Sequence, residues 1–451
     1  MMLHHAHAIR CLGLGLLLAV GGSGCATRPA ITPAEPGFDP VRLAQLDATL
    51  RGYVERGELP GASVLIARNG RIEHLANFGR ADLETSTPMA ADTILRIYSM
   101  SKPVTAAAVM AAVEDGDFAL DDPVARHVPE LAGVQVYAGA DQDGARTVPA
   151  TREMTIEDLL MHTAGFTMSF QIGTPVARLY QQAGLQSATW FLDGTIPDLG
   201  AFAERLGSLP LAHQPGQRWH YGLGMDVAAL VIERTSGQRF DQFLKARILD
   251  PLMMSDTGFS VPTAAQARFA SLYARRPDGG LVPVETPTRS PFLQPPAVAT
   301  GSGALVSTLL DYFRFAQMLC NGGELDGTRV LSQASVDLML ANHLRPDQIG
   351  QLAEATGFGF GGTGTQVGFG YGGAVTIADE RPDAGAYMWG GAASTTFFID
   401  RGNGVVAILM TQLMPSGTYP LGDILRSAVY DALTPQPHRS DPMRHCSPST
   451  R

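Results

Sequence analysis

Cysteine is scarce in this chain, four in 451 residues. Cys11 and Cys25 lie near the N-terminus, Cys320 in an apolar run that reads as helix, and Cys446 in a polar tail. No disulfide framework is therefore expected to hold the fold. Charge is thin as well: 17% of residues are charged, the net charge is −10, and no block of Lys and Arg occurs. That argues against a nucleic-acid partner, which needs a basic stripe or patch. H-E-x-x-H is absent, as is any cluster of His and Asp beyond the leader, so neither metal catalysis nor a cofactor is expected. There is no G-x-S-x-G elbow, which speaks against an α/β-hydrolase. A formal G-x-G-x-x-G at Gly357, Gly359 and Gly362 lacks a strand before it and a helix after it, so it reads as a turn and strand edge. No internal repeat is visible. What the chain does have is apolar mass: 45% hydrophobic residues over 451 positions predict a large core in one two-lobed domain or two domains.

The N-terminus has the form of a bacterial export signal. Arg10 and three histidines precede the apolar stretch Cys11 to Val20, and Gly21-Gly22-Ser23-Gly24 lead to Cys25. The stretch is too short for a permanent bilayer span. A cysteine after small residues resembles a lipobox, although Gly22 stands where Leu is usual. The expectation is a signal peptide over 1–24, acylation at Cys25 and a periplasmic lipoprotein held to the membrane by its lipid, with plain secretion as the alternative. Residues 25–40, rich in proline, read as a flexible tether.

Beyond the tether, Val41 to Arg56 has helical periodicity. Ala62 to Ala67, Asn69-Gly70 and Arg71 to Phe78 spell a tight hairpin. A mostly helical block is expected over about 116–300, with its clearest helices at 155–161, 226–236 and 240–249. Helices are also read at Asp311 to Leu319 and Ser332 to Ala341. Strand patterns return at Gly372 to Ala378, Ala386 to Trp389, Ser394 to Asp400 and Val405 to Met410, and Ile424 to Leu433 closes the fold as a helix. The tail 434–451 reads as disordered. Strands at both ends of the sequence with helices between them predict an α+β fold over 41–433: one antiparallel sheet with an inserted helical lobe, and a cleft where the two meet.

Ser99-Met100-Ser101-Lys102 is an S-x-x-K motif at the head of an Ala-rich apolar run, Val104 to Val113, with Gly116 as its stop. Positions three apart share a helix face, so Lys102 returns its amine beside the Ser99 hydroxyl. A serine becomes a nucleophile when a neighbouring base takes its proton, and a lysine in an apolar setting loses its charge readily enough to be that base. Two later segments bear on the same chemistry. Trp219-His220-Tyr221-Gly222-Leu223 follows Pro215-Gly216 and puts Tyr221 on a tight loop entering the helix from Asp226. Trp389-Gly390-Gly391-Ala392 joins the strand at Tyr387 to the one at Thr395.

Together these resemble the S-x-x-K, Y-x-N and K-T-G elements of the serine β-lactamase and penicillin-binding-protein superfamily. Framework segments agree in the same order: Leu120-Asp121-Asp122-Pro123, Thr155 to Gly165, and Gly301 to Thr308. Leu223 replaces the asparagine of Y-x-N, and Trp389 replaces the lysine of K-T-G. Y-x-L with W-G-G resembles the family VIII carboxylesterases within the class C-like branch. The resemblance implies a β-lactamase/transpeptidase-like fold and a short-chain ester as the small-molecule substrate. It makes Ser99 the nucleophile and Lys102 with Tyr221 the base pair. The oxyanion hole would come from the N–H groups of Ser99 and Ala392, and the substrate wall from Trp389, Gly390 and Gly391. His220 adjoins Tyr221 and is a candidate for lining the pocket; His162 reads as a structural hydrogen-bonding residue. The competing readings are a β-lactamase or D-amino-acid peptidase, an acyltransferase on the same residues, and a non-catalytic binding or sensor protein.

Overall fold

The computed structural model describes residues 37–141, 144–168, 174–185, 194–277, 279–354, 367–377 and 381–435. The leader with Cys25, the tether up to residue 36, the Gly357 to Gly362 run and the tail beyond 435 lie outside the described residues.

Eight strands make one antiparallel sheet. In chain order they are β1 (Gly61–Arg68), β2 (Arg71–Asp82), β3 (Thr87–Pro88), β4 (Val367–Phe369), β5 (Ala374–Thr376), β6 (Tyr387–Gly391), β7 (Thr395–Asp400) and β8 (Val405–Thr411). They pair in the order β4-β5-β6-β7-β8-β1-β2-β3. The seam between the two ends of the sequence is β1 against β8, where Val64 faces Leu409 and Ile66 faces Ala407. The β1–β2 turn is the one expected: Asn69 and Gly70 both take left-handed φ, 51° and 79°, as a two-residue hairpin turn requires.

Five helices frame the sheet and the site: α1 (Pro40–Glu55), α2 (Ser101–Asp115), α3 (Gly224–Ser236), α4 (Leu309–Cys320) and α5 (Leu421–Ala432). Every residue of β1 and β8 is buried, so both faces of the sheet centre are covered. α1 and α5 pack on each other and on the sheet, and α4 packs on β1, β7 and β8. α2 is buried from Ser101 to Ala112 and stops at Gly116, whose φ of 82° gives the left-handed cap. α3 packs across α2.

Two boundaries and the make-up of the inserted block differ from the sequence reading. The chain is already part of the fold before residue 40: Phe38 is buried and bridges to Leu433, and the Asp39 carboxylate caps α1. At the other end, the Thr434 N–H bonds to the Gly37 carbonyl, and the Thr434 carbonyl accepts from Arg68. The inserted block is less helical than expected. It contains a hairpin of Gln135–Asp141 with Gly144–Pro149, and another of Leu272–Arg275 with Leu281–Glu285 that adds Leu413–Met414 in parallel. Register shifts after Tyr137 and Leu272 break the alternation that would have betrayed these strands.

Candidate active site

Ser99 sits on a single 3₁₀ turn, Tyr98–Met100, that runs into α2. Tyr98 has φ 40°, a left-handed value that a bulky side chain holds only when its surroundings fix it. Its ring lies edge-on to Phe292, 6.4 Å between centroids. Two residues earlier, the fully buried Arg96 pairs with Glu285, donates to the Ala270 carbonyl at 2.7 Å and lies 4.0 Å over the Phe269 ring. The segment entering the nucleophile is therefore anchored on both sides.

One helical turn on, Lys102 Nζ lies 3.1 Å from Ser99 Oγ and donates to the Ser302 carbonyl at 2.6 Å. Burial lowers the proton affinity of this amine; Asp226 pushes it back up by a smaller amount. Tyr221 reaches the same atom from the loop before α3, its hydroxyl donating to Ser99 Oγ over 2.9 Å. Burial raises the Tyr221 pKa, so the phenol keeps its proton at neutral pH. Gly222 follows it for a steric reason: a Cβ there would stand 2.5 Å from the Phe166 carbonyl oxygen.

Three expected residues form the far wall. Gly390, Gly391 and Ala392 line the same cavity as Ser99, at the end of β6. A Cβ on Gly391 would sit 2.2 Å from the Ile97 carbonyl oxygen, so only glycine lets β6 lie against the segment that carries Ser99.

Two residues expected at that wall lie elsewhere. Trp389 is fully buried and turns into the core, 5.2 Å from Phe369 and 5.9 Å from Tyr221 between ring centroids. Gly390 and Gly391 line the cavity, while the Trp389 side chain packs against the Tyr221 and Phe369 rings. His220 points toward Thr167, 3.1 Å from its hydroxyl, and packs edge-on against His213. His162 lies beneath Tyr221, 4.5 Å between ring centroids, and its Nδ1 accepts the Gly222 N–H at 3.4 Å. Burial, with help from Lys102, holds the His162 ring neutral.

The cavity over Ser99 has a volume of about 200 Å³. Tyr98, Met168, Tyr419 and Leu421 give it apolar walls, and among the described residues its charged lining consists of Lys102 and Asp423. Asp423 is paired to Arg426 at 2.7 Å. Arg345 and Arg381 are bound elsewhere. Arg345 holds Asp347 and the Gly216 carbonyl; Arg381 holds Asp383.

Sequence reasoning missed Asp226 as a site residue. It is fully buried at the start of α3, and Oδ1 accepts the Ser302 N–H at 2.9 Å. An acidic residue five positions after Tyr221, in an otherwise apolar helix start, was the available signal.

A family model described as Beta-lactamase matches residues 46–431. The chain belongs to the β-lactamase family. Within it, esterase EstB of Burkholderia gladioli is 32% identical over 424 residues, 90% of this chain and 99% of that protein. Protein Rv1367c of Mycobacterium tuberculosis is 38% identical over 301 residues, 67% of this chain and 72% of its own. Among solved structures, EstCE1, described as a hydrolase with promiscuous acyltransferase activity, superimposes with a TM-score of 0.71 at 26% identity, covering 87% of this chain and 99% of that one. The β-lactamase/transpeptidase-like fold of the family is the one built here from the two ends of the sequence.

Proposed function

We propose that this chain is an exported serine carboxylesterase that cleaves short-chain, uncharged esters through an acyl-enzyme on Ser99. The observation that carries the reading is the shared position of Ser99 Oγ, 3.1 Å from Lys102 Nζ and 2.9 Å from Tyr221 Oη, in a small cavity without a free cation among its described lining residues. Neutral Lys102 takes the Ser99 proton as Oγ attacks the ester carbonyl carbon. The oxygen that becomes negative is met by the N–H groups of Ser99 and Ala392, and one donor of this kind is typically worth about 2.7–4 kcal/mol. The tetrahedral intermediate collapses, the C–O bond to the alcohol breaks, and Tyr221 hands on the Lys102 proton to the leaving oxygen. Water then repeats the sequence in reverse and frees the acid. EstB carries the name of an esterase, which supports an ester rather than a lactam as substrate.

Acyl transfer to an alcohol other than water uses the same acyl-enzyme, and the description of EstCE1 favours keeping it as a second activity. One assay tests both: p-nitrophenyl acetate and butyrate, and a chromogenic cephalosporin, with wild type and Ser99→Ala, each with and without added alcohol. The esters should turn over with wild type alone, and a fluorophosphonate should add once, on the Ser99 peptide. Full labelling of Ser99→Ala would remove Ser99 from the reaction.

A further inference from the structure

The backbone of Ser302 is gripped from two helices at once. Lys102 on α2 donates to its carbonyl at 2.6 Å, and Asp226 on α3 accepts its N–H at 2.9 Å. Thr105, three residues beyond Lys102, adds a bond to the neighbouring Gly301 carbonyl at 2.7 Å. Both ionisable groups are withdrawn from water: Lys102 is 1% exposed and Asp226 0%. A buried carboxylate and a buried amine each favour their neutral forms unless a counter-charge is near. Burial raises the pKa of Asp226 while Lys102 lowers it, and burial lowers that of Lys102 while Asp226 raises it. Each is thus the other's counter-charge.

The remaining groups around the pair are uncharged or bonded to each other. Among the described residues, Tyr221 faces it from the loop before α3 and His162 from the segment after the helix Ile156–Leu160. Burial keeps the phenol protonated and the imidazole neutral. Tyr371, beside the Gly372 that packs on the first turn of α2, donates to Glu157 at 2.7 Å. Asp226 is too far from Ser99 Oγ to appear among its hydrogen-bond partners, which are Lys102 and Tyr221. Its influence on the reaction passes through Lys102.

We propose that Asp226 is a positioning residue for the general base: through the backbone of Ser302, whose N–H it holds while Lys102 holds the carbonyl, it fixes both the place of Lys102 Nζ and its readiness to take the Ser99 proton. The kinetic part rests on the Ser99 acyl-enzyme; the counter-charge part does not.

Asp226→Asn keeps an oxygen for the Ser302 N–H and removes the charge. The acid limb of kcat/KM on p-nitrophenyl butyrate should move to lower pH by about one unit, the low end for a neighbouring opposite charge. The pH dependence of fluorophosphonate labelling at Ser99 should move with it. An acid limb that stays in place, with only kcat reduced, would leave Asp226 a structural hydrogen-bond acceptor and overturn the proposal. A second measurement needs no turnover. Lys102→Met strands the buried carboxylate, so Lys102→Met/Asp226→Asn should melt above Lys102→Met at a pH where carboxylates ionise. Equal loss of melting temperature from Asp226→Asn in both backgrounds would overturn the proposal even if Asp226→Asn alone folds poorly. If no ester is hydrolysed while the labelling and melting shifts appear, the esterase reading fails and the role of Asp226 stands.

Discussion

Tyr221 donates to Ser99 Oγ across 2.9 Å, and its ring packs against those of His162 and Trp389, 4.5 Å and 5.9 Å between centroids. A phenol packed against two rings has little rotational freedom, and burial keeps it protonated. That arrangement argues for Lys102 as the first acceptor of the Ser99 proton. Tyr221 becomes the relay that carries the proton to the leaving group. The sequence left the choice between these two bases open, because the protonation of each depends on burial.

Lys102 and Tyr221 should behave as a unit. Lys102→Ala and Tyr221→Phe should each lower kcat on a short ester by at least about 10²-fold, the low end for general acid–base contributions. The double variant should lose far less than the product of the two, since both serve one proton transfer. Stopped-flow or plate assays of all four proteins give the cycle directly. A Tyr221→Phe enzyme with wild-type kcat would require a different relay.

The pH profile follows from the directions of the two shifts. Lys102 is active when neutral, and its burial moves that form to lower pH than in a free lysine. Tyr221 is active when protonated, and its burial carries that form to higher pH. Activity should therefore rise through a depressed Lys102 value and hold a plateau across neutral and mildly alkaline pH. A kcat/KM profile whose acid limb lies near the ordinary lysine value, about 10.4, would contradict the assignment.

The site was legible where chemistry is local. Ser99 and Lys102 are three residues apart on one helix face, and the Asn69-Gly70 turn announces the hairpin that starts the sheet. Asp226 was not legible as a partner of Lys102, because only the packing of α3 on α2 brings them to the two backbone groups of Ser302. Trp389 was misplaced for a related reason. A motif gives the identity of the residue but not where its side chain packs, and here the ring is held by Phe369 and Tyr221. The hairpin Gln135–Asp141 was hidden by its bulge, and the Leu281–Glu285 strand by the proline at 283.

Trp389→Phe separates the two roles available to this residue. Phenylalanine keeps the ring contacts to Phe369 and Tyr221 and loses the N–H. A large-to-small change of this kind costs about 0.5–1.5 kcal/mol, and that loss in the placing of Tyr221 corresponds to about a 2- to 13-fold drop in kcat. KM for the ester should stay put, since Trp389 is not among the residues that line the cavity. A raised KM at unchanged kcat would return Trp389 to the substrate wall.

Export and anchoring are tested at Cys25. Cells expressing the full chain and fed a palmitate analogue should label wild type but not Cys25→Ser, with the labelled protein in the membrane fraction. An unlabelled wild type found in the periplasmic or culture fluid would favour plain secretion.

The last prediction concerns substrate choice. An acyl chain of a few carbons, entering a cavity of about 200 Å³ with Tyr98, Met168 and Leu421 in its walls, gains about 0.8 kcal/mol per buried CH₂. That is about fourfold in kcat/KM per added carbon until the space is filled. A penicillin or cephalosporin brings a carboxylate to the same opening. Among the described lining residues the basic one is Lys102, which must be neutral to act, and the acidic one is Asp423, which already holds Arg426. Arg345 and Arg381 are engaged with Asp347 and Asp383 away from the cavity. A partly desolvated carboxylate without a cation is costly, so p-nitrophenyl butyrate should have a far higher kcat/KM than nitrocefin. Nor should Trp389→Lys convert the enzyme. The new ammonium would replace a buried indole that faces Phe369 rather than the cavity, and the expected result is a lower melting temperature with no gain on nitrocefin. Nitrocefin turnover matching that of the ester in wild type, or a lactamase created by Trp389→Lys, would mean that an anion is held in this site after all.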